Sequence, residues 1–300
     1  MDAMTVGSFT PSVVLDVAAS TGRLAAGGLK VTEEPVSSSP SQFRSLVEGE
    51  LDVALTSPDN VLAYRFSHRN PIGEMLDARI VGAIDRGMGL GLYGRPGLDR
   101  SGLRGATIGV DVATSGFALA LYALADHLGV RRQDYELTAL GSTPRRLQAL
   151  LAGECDATML NAGNELVAEA AGCVRLAGVT DRFAPYLGTV VAVVGAERLD
   201  LARRLTHAMT ETCKTIVSGA LDSEAIEATQ RRLGLDGVLA ERYLERLRDP
   251  VDGLVTDGVV DHASLTTLVR LRSAWLPEAV DGHDVMDAAL AEGSGLVDRL

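Results

Sequence analysis

One local pattern occurs twice in this chain: an amphipathic helix that stops at Gly-Glu, one further residue, then Asp at the head of a buried strand. It spans 43–55 around Gly49-Glu50-Leu51-Asp52, and 146–159 around Gly153-Glu154-Cys155-Asp156. The glycine suits a left-handed helix stop. The apolar run after the aspartate suits a strand covered on both faces. Two copies imply two lobes of like topology, and two lobes imply a cleft between them.

Around these anchors short apolar strands alternate with amphipathic helices, the pattern of a mostly parallel sheet. Strands are expected at 5–9, 30–36, 51–55, 78–84 and 89–93, with helices over 11–26, over 42–49 and up to about 67. After a Gly/Pro-rich passage at 95–104 the pattern restarts. A strand at 106–110 leads to a helix at 117–128 that carries Phe117, Leu121, Leu124 and Leu128 on one face. A strand at 135–140, a helix at 144–152, a strand at 156–160 and a short helix from 165 follow, then a strand at 190–194. Everything beyond Ala196 reads as helical. The fold class is α/β, with two Rossmann-like lobes joined by a hinge of two crossover strands and a helical C-terminal tail. Lobe 1 takes residues 1–88. Lobe 2 takes 89–194, with hinge strands at both ends, and 195–300 completes lobe 1 with the C-terminal helices.

Three hundred residues suffice for two such lobes. A net charge of −12 without a basic stripe argues against nucleic acid as a partner. Cys155, Cys173 and Cys213 are scattered, with no metal-ligand spacing, and read as small buried hydrophobes. No apolar run reaches the length of a membrane span. Residues 5–9 already read as a strand with no leader ahead of them, so the chain is cytoplasmic as written, and periplasmic or at the cell surface if a leader was removed.

The ordered series Gly7-Ser8-Phe9, Gly22-Arg23-Leu24, Gly28-Leu29-Lys30-Val31 and Gly49-Glu50-Leu51-Asp52-Val53-Ala54 resembles the opening of type II solute-binding proteins of ABC transporters. The branch it looks most like comprises the sulfonate, taurine and nitrate binders, with the thiamine-pyrimidine synthases as relatives. Gly102-Leu103-Arg104-Gly105-Ala106-Thr107-Ile108-Gly109-Val110 looks like that family's crossover, with Arg104 and Ala106 where lysines are usual. The resemblance covers about residues 5–220. It implies a monomer that captures one small ligand by hinge closure, with an ABC permease as partner. It does not extend to the synthase chemistry. Asn60 stands where the reactive histidine would be, the Cys-rich loop has no counterpart, and neither Lys30 nor Lys214 has the context of a cofactor lysine.

In open α/β sheets ligands sit beyond the carboxyl ends of the strands, at helix N-termini. The loops there are rich in hydroxyls and amides, which also makes them good helix caps. The candidate ligand-binding residues are Ser8, Phe9 and Thr10; Ser38 and Ser39; Ser57, Asp59 and Asn60; Thr114, Ser115, Gly116 and Phe117; Ser142; Asn161 and Asn164; and Tyr186. Thr114-Ser115-Gly116-Phe117 is the leading site, because the helix behind it directs its positive end there. An anionic head group suits that field, whereas Asp59 and Asp111 nearby suit an amine.

No catalytic, metal or cofactor motif is present, and the five histidines stand in surface contexts. The chain therefore reads as a binder of a small polar, anionic molecule rather than an enzyme. Two alternatives stay open. One is a cytosolic decarboxylase, isomerase or lyase using Asp59, Asp85 or Asp111. The other is a ligand sensor that docks a protein through Arg270, Arg272 and Trp275 near Leu268 and Leu271.

Overall fold

The computed structural model describes residues 1–298. The chain opens with strand β1 (Asp2–Ser8), helices α1 (Val13–Ser20) and α2 (Arg23–Ala26), strand β2 (Leu29–Pro35) and helix α3 (Ser39–Glu48). Strand β3 (Val53–Thr56), helix α4 (Pro58–Phe66) and strand β4 (Ala78–Asp85) follow. Next come β5 (Gly91–Gly94), β6 (Thr107–Val110), α5 (Gly116–His127), β7 (Glu136–Ala139), α6 (Thr143–Ala152), β8 (Ala157–Leu160), α7 (Asn164–Ala170), β9 (Val174–Gly178) and α8 (Thr180–Phe183). The chain returns through β10 (Thr189–Val194). It ends in α9 (Leu199–Val217), α10 (Asp222–Leu233), α11 (Gly237–Arg248), α12 (His262–Trp275), the hairpin β11 (Ala279–Val280) and β12 (His283–Asp284), and α13 (Asp287–Leu290).

Two five-stranded sheets result, in the orders β2-β1-β3-β10-β4 and β7-β6-β8-β5-β9. The orders are the same once each lobe is counted from its own first strand. In both, the fourth strand is antiparallel to its neighbours and comes from the chain entering from the other lobe: β10 in the first sheet, β5 in the second. The strands at 89–93 and 190–194, expected as the two hinge crossings, each belong to one sheet: β5 to the second and β10 to the first. The crossings themselves are 86–90 and 179–188.

The repeated Gly-Glu-x-Asp unit has one physical job in both lobes. Gly49 and Gly153 end α3 and α6 in the left-handed region, at φ 75° and 74°. Asp52 then takes the Thr5 backbone N–H at 2.8 Å, and its own N–H donates to Thr5 O at 2.9 Å. Asp156 repeats this on Thr107, at 2.9 and 2.7 Å. Each aspartate thus pins the incoming third strand to the first strand of its lobe at a fixed register.

The helix expected over 11–26 breaks at Thr21-Gly22 into α1 and α2. Strand β9 was not expected, and neither was the small hairpin in the tail. Beyond the helices, the tail also touches the first sheet, through bridges Asp85–Leu254 and Ile80–Val297. Helix α12 packs on α4 of lobe 1 and on α5 of lobe 2, and Trp275 meets Tyr122 across that seam at 5.7 Å between ring centroids. Leu268, Leu271 and Arg272 are buried there, so they offer no surface for a docking partner. Among the described residues no helix is long and apolar enough to cross a membrane, and no cluster of three His, Cys, Asp or Glu side chains could hold a metal.

Candidate functional site

A cavity of about 120 Å³ lies between the lobes, at the carboxyl ends of both sheets. Four helices begin at its wall, and the sequence explains each start. Ser12, Ser57 and Ser115 cap α1, α4 and α5, accepting from Leu15, Asp59 and Ala118 N–H at 3.2, 3.3 and 3.4 Å. Helix α6 starts at Thr143-Pro144 behind Ser142. The free N–H groups and dipoles of α5 and α6 in lobe 2 and of α1 and α4 in lobe 1 make the cavity a favourable place for acceptor-rich groups.

Arg146, one turn into α6, is the cationic group of the lobe 2 wall. It is 2% exposed and lines the cavity. Its Nη2 donates to Thr143 Oγ1 at 3.0 Å and to Met159 O at 3.2 Å, and Nη1 donates to Gly141 O. Nε has no partner, and among the described residues no carboxylate comes within ion-pair distance of this guanidinium. Burial pulls its pKa down to about 10, opposed by the charge of Asp111. Asp111 also lines the cavity, with Oδ2 accepting from Ser39 N–H at 3.2 Å across the lobes and Oδ1 unpartnered.

Asp85, the last residue of β4, lines the opposite wall and holds both crossings. It accepts from Gly87 N–H at 2.9 Å on the outgoing crossing and stands opposite Thr189, where β10 begins after the returning one. Its backbone oxygen takes Gly188 N–H at 2.9 Å. Burial pushes its pKa up to about 6. The body of the cavity is apolar: Phe9, Leu55, Met88, Phe117, Tyr243 and Leu254 line it.

No protein-family model matches the sequence, and no curated protein matches it. The three-dimensional likenesses are extensive. A protein from Bordetella bronchiseptica RB50 superposes at TM-score 0.76 with 18% identity, covering 99% of this chain and 95% of that one. The ligand-binding component of an ABC-type import system from Staphylococcus aureus, with zinc bound, gives TM-score 0.72 at 11% identity, over 91% and 92% of the two chains. The alkanesulfonate-binding protein SsuA from Xanthomonas axonopodis pv. citri, bound to MOPS, gives 0.71 at 16% identity, over 92% and 94%.

The chain has the periplasmic-binding-protein fold.

Within that fold, Ser8, Phe9, Thr10, Ser57, Asn60, Ser115, Gly116, Phe117 and Asn161 come together around the one cavity. Several of their polar groups are engaged: the Ser8 hydroxyl donates to Glu33 at 2.6 Å, the Asn60 amide to Thr56 Oγ1 at 3.0 Å and the Asn161 amide to Gly87 O at 3.2 Å. The other candidates stand off it, each for a visible reason. Ser38 caps α3 in a capping box with Ser41, and Ser39 gives its N–H to Asp111. Asp59 is locked in a buried two-pronged ion pair with Arg272, which also donates to the Thr114 carbonyl at 3.0 Å. Ser142 precedes α6, Asn164 ties Thr10 to lobe 2 at 3.3 Å, and the Tyr186 ring is fully buried behind the hinge.

Sequence reasoning missed Arg146 and Thr143, and passed over Asp85 as a ligand contact. The signal for Arg146 was its place in the α6 pattern: it shares the buried face with Thr143, Leu147 and Leu150, where an arginine needs a reason to be.

Proposed function

We propose that this chain is a ligand-binding protein that closes its two lobes around one small molecule with an acceptor-rich, anionic head, and that it serves as the substrate-binding component of an ABC-type importer. The observation that carries the reading is Arg146: a buried guanidinium with one unpartnered N–H and, among the described residues, no carboxylate within ion-pair distance, in the wall of an interlobe cavity beside the α5 and α6 N-termini. A carboxylate or sulfonate oxygen supplies the missing acceptor, and charge-assisted hydrogen bonds of that kind are the strong ones. The volume limits the rest of the ligand. An apolar protein cavity of ~150 Å³ accepts benzene, so about 120 Å³ suits a single ring or a short alkyl chain. Asp85 and Asp111 favour an N–H or O–H elsewhere on the ligand. The likeness to an import-system binding component and to an alkanesulfonate-binding protein supports both the transport role and the oxyanion head.

The test is thermal unfolding against sulfonates, nitrate, carboxylates, pyrimidines and amino acids, with each hit recovered by mass spectrometry. A ligand at a hundred times its dissociation constant stabilises by about 2.7 kcal/mol. Recovery of the hit intact, with binding weakened at least tenfold by Arg146→Gln, supports the reading. No shift from any class overturns it.

A second reading rests on Asp85. A cavity carboxyl whose pKa is pushed up to about 6 is poised for proton transfer, and the same fold can host an enzyme. A hit recovered chemically changed, with turnover lost in Asp85→Asn, favours that reading.

A further inference from the structure

A second cavity, of about 330 Å³, lies in the seam on the far side of the Asp59–Arg272 pair. Its walls differ from those of the first. Pro71, Trp275, Leu276, Pro277 and Met286 make it largely apolar, and all of them belong to lobe 1 or its tail. Thr114 is its contribution from lobe 2, one residue ahead of Ser115 and Gly116 in the first cavity. An occupant therefore touches both lobes.

The polar groups decide what could sit there. The carboxylates are spent. Asp59 takes Nε and Nη2 of Arg272, and Glu278 takes the Ser67 hydroxyl and the His68 backbone N–H. The guanidiniums are not. Arg272 lines this cavity, and its Nη1 is open to it rather than sealed in the core, with no hydrogen bond among the described residues. Arg69 lines the same cavity, and its side chain has neither an ion pair nor a hydrogen bond among them. A cavity with unspent guanidinium donors, spent carboxylates and a tryptophan wall matches a flat apolar body that carries one acceptor group.

We propose that this seam cavity is a second ligand site, for an aromatic monoanion such as an aryl carboxylate or aryl sulfonate, whose oxygens meet Arg272 Nη1 and Arg69 while its rings lie against Trp275. Because such a ligand bridges Thr114 and α12, it ties the two lobes together. The site does not depend on the reading of the first cavity, and its failure leaves that reading intact.

Trp275 is the only tryptophan of the chain, so its fluorescence reports this cavity directly. The experiment titrates the full chain with 1-anilinonaphthalene-8-sulfonate and follows energy transfer from Trp275. The expected result is saturable quenching with one site per chain, weakened at least tenfold by Arg69→Glu and by Ala63→Leu, which fills the cavity from α4. Arg146→Gln leaves the titration unchanged, since two fused rings and an anilino group exceed the first cavity. Quenching that does not saturate, that is indifferent to Arg69→Glu, or that is abolished by Arg146→Gln overturns the proposal. Arg69 is exposed, so its variant keeps the fold, and a matching melting temperature verifies that.

Discussion

Gly116 of lobe 2 stands directly against Asp59 of lobe 1. A methyl group on Gly116 would lie 2.6 Å from Asp59 Cβ and 2.9 Å from its carboxyl carbon. Two lobes can come this close only because one side of the contact has no side chain and the other is held still by Arg272. Gly116→Ala should wedge the seam open. Overpacking of this kind costs about 1–3 kcal/mol, here charged against the closed arrangement. The expected result is a larger radius of gyration in X-ray scattering and ligand affinity reduced by tenfold or more.

The Asp59–Arg272 pair is almost wholly shielded from water, with side chains 2% and 5% exposed. Removing one member strands the other, which costs about 3–5 kcal/mol, whereas replacing both with apolar residues costs much less. Asp59→Leu and Arg272→Leu should each lower stability by that amount in urea. The double variant should recover most of the loss, and a double variant as unstable as the sum of the singles would refute the coupling.

Asp85 makes stability depend on pH in a definite direction. Its pKa is raised from 3.8 to about 6 by burial. A carboxyl raised on folding binds its proton more tightly in the native state, so its contribution is full below about pH 4 and is lost as pH rises through 6. Glu165, buried on α7 and raised to about 7, acts in the same direction. Between pH 5 and pH 7.5 the Asp85 part is on the order of 1 kcal/mol by linkage. Urea unfolding should show the chain more stable at pH 5, with Asp85→Asn shrinking the difference by about that much.

Asp52 and Asp156 perform the same task in separate lobes. Losing the acceptor for a strand N–H costs about 1–3 kcal/mol. Asp52→Ala and Asp156→Ala should each destabilise by that order. Hydrogen exchange should rise at Thr5 in the first variant and at Thr107 in the second, and not the reverse.

The lobes were legible in the sequence because their signals are local. The αL glycines at 49 and 153, the aspartates after them and the apolar runs of β3 and β8 announce themselves within a dozen residues. The cavity was legible in part for the same reason: Ser57, Asn60, Ser115 and Gly116 sit where strands hand over to helices. Strand β9 was not legible, because Val174-Arg175-Leu176-Ala177-Gly178 alternates weakly and only its pairing with β5 makes it a strand. Asp59 and Thr114 were placed in the ligand site since their loops face the cleft. What keeps them out of the wall of the first cavity is Arg272, more than two hundred residues away from Asp59, whose guanidinium binds both.

Order and spacing along the chain thus determined two α/β lobes of one topology, the cleft between them and the helix N-termini that face it. These follow from hydrogen-bonding and burial preferences that act between near neighbours. The tertiary structure alone decided which polar groups remain unspent. Whether a buried donor is free depends on every partner that packing brings to it, and those partners come from the other lobe and from the tail. Arg146 Nε, buried in the wall of the first cavity with no acceptor among the described residues, exists as a feature only in the folded chain.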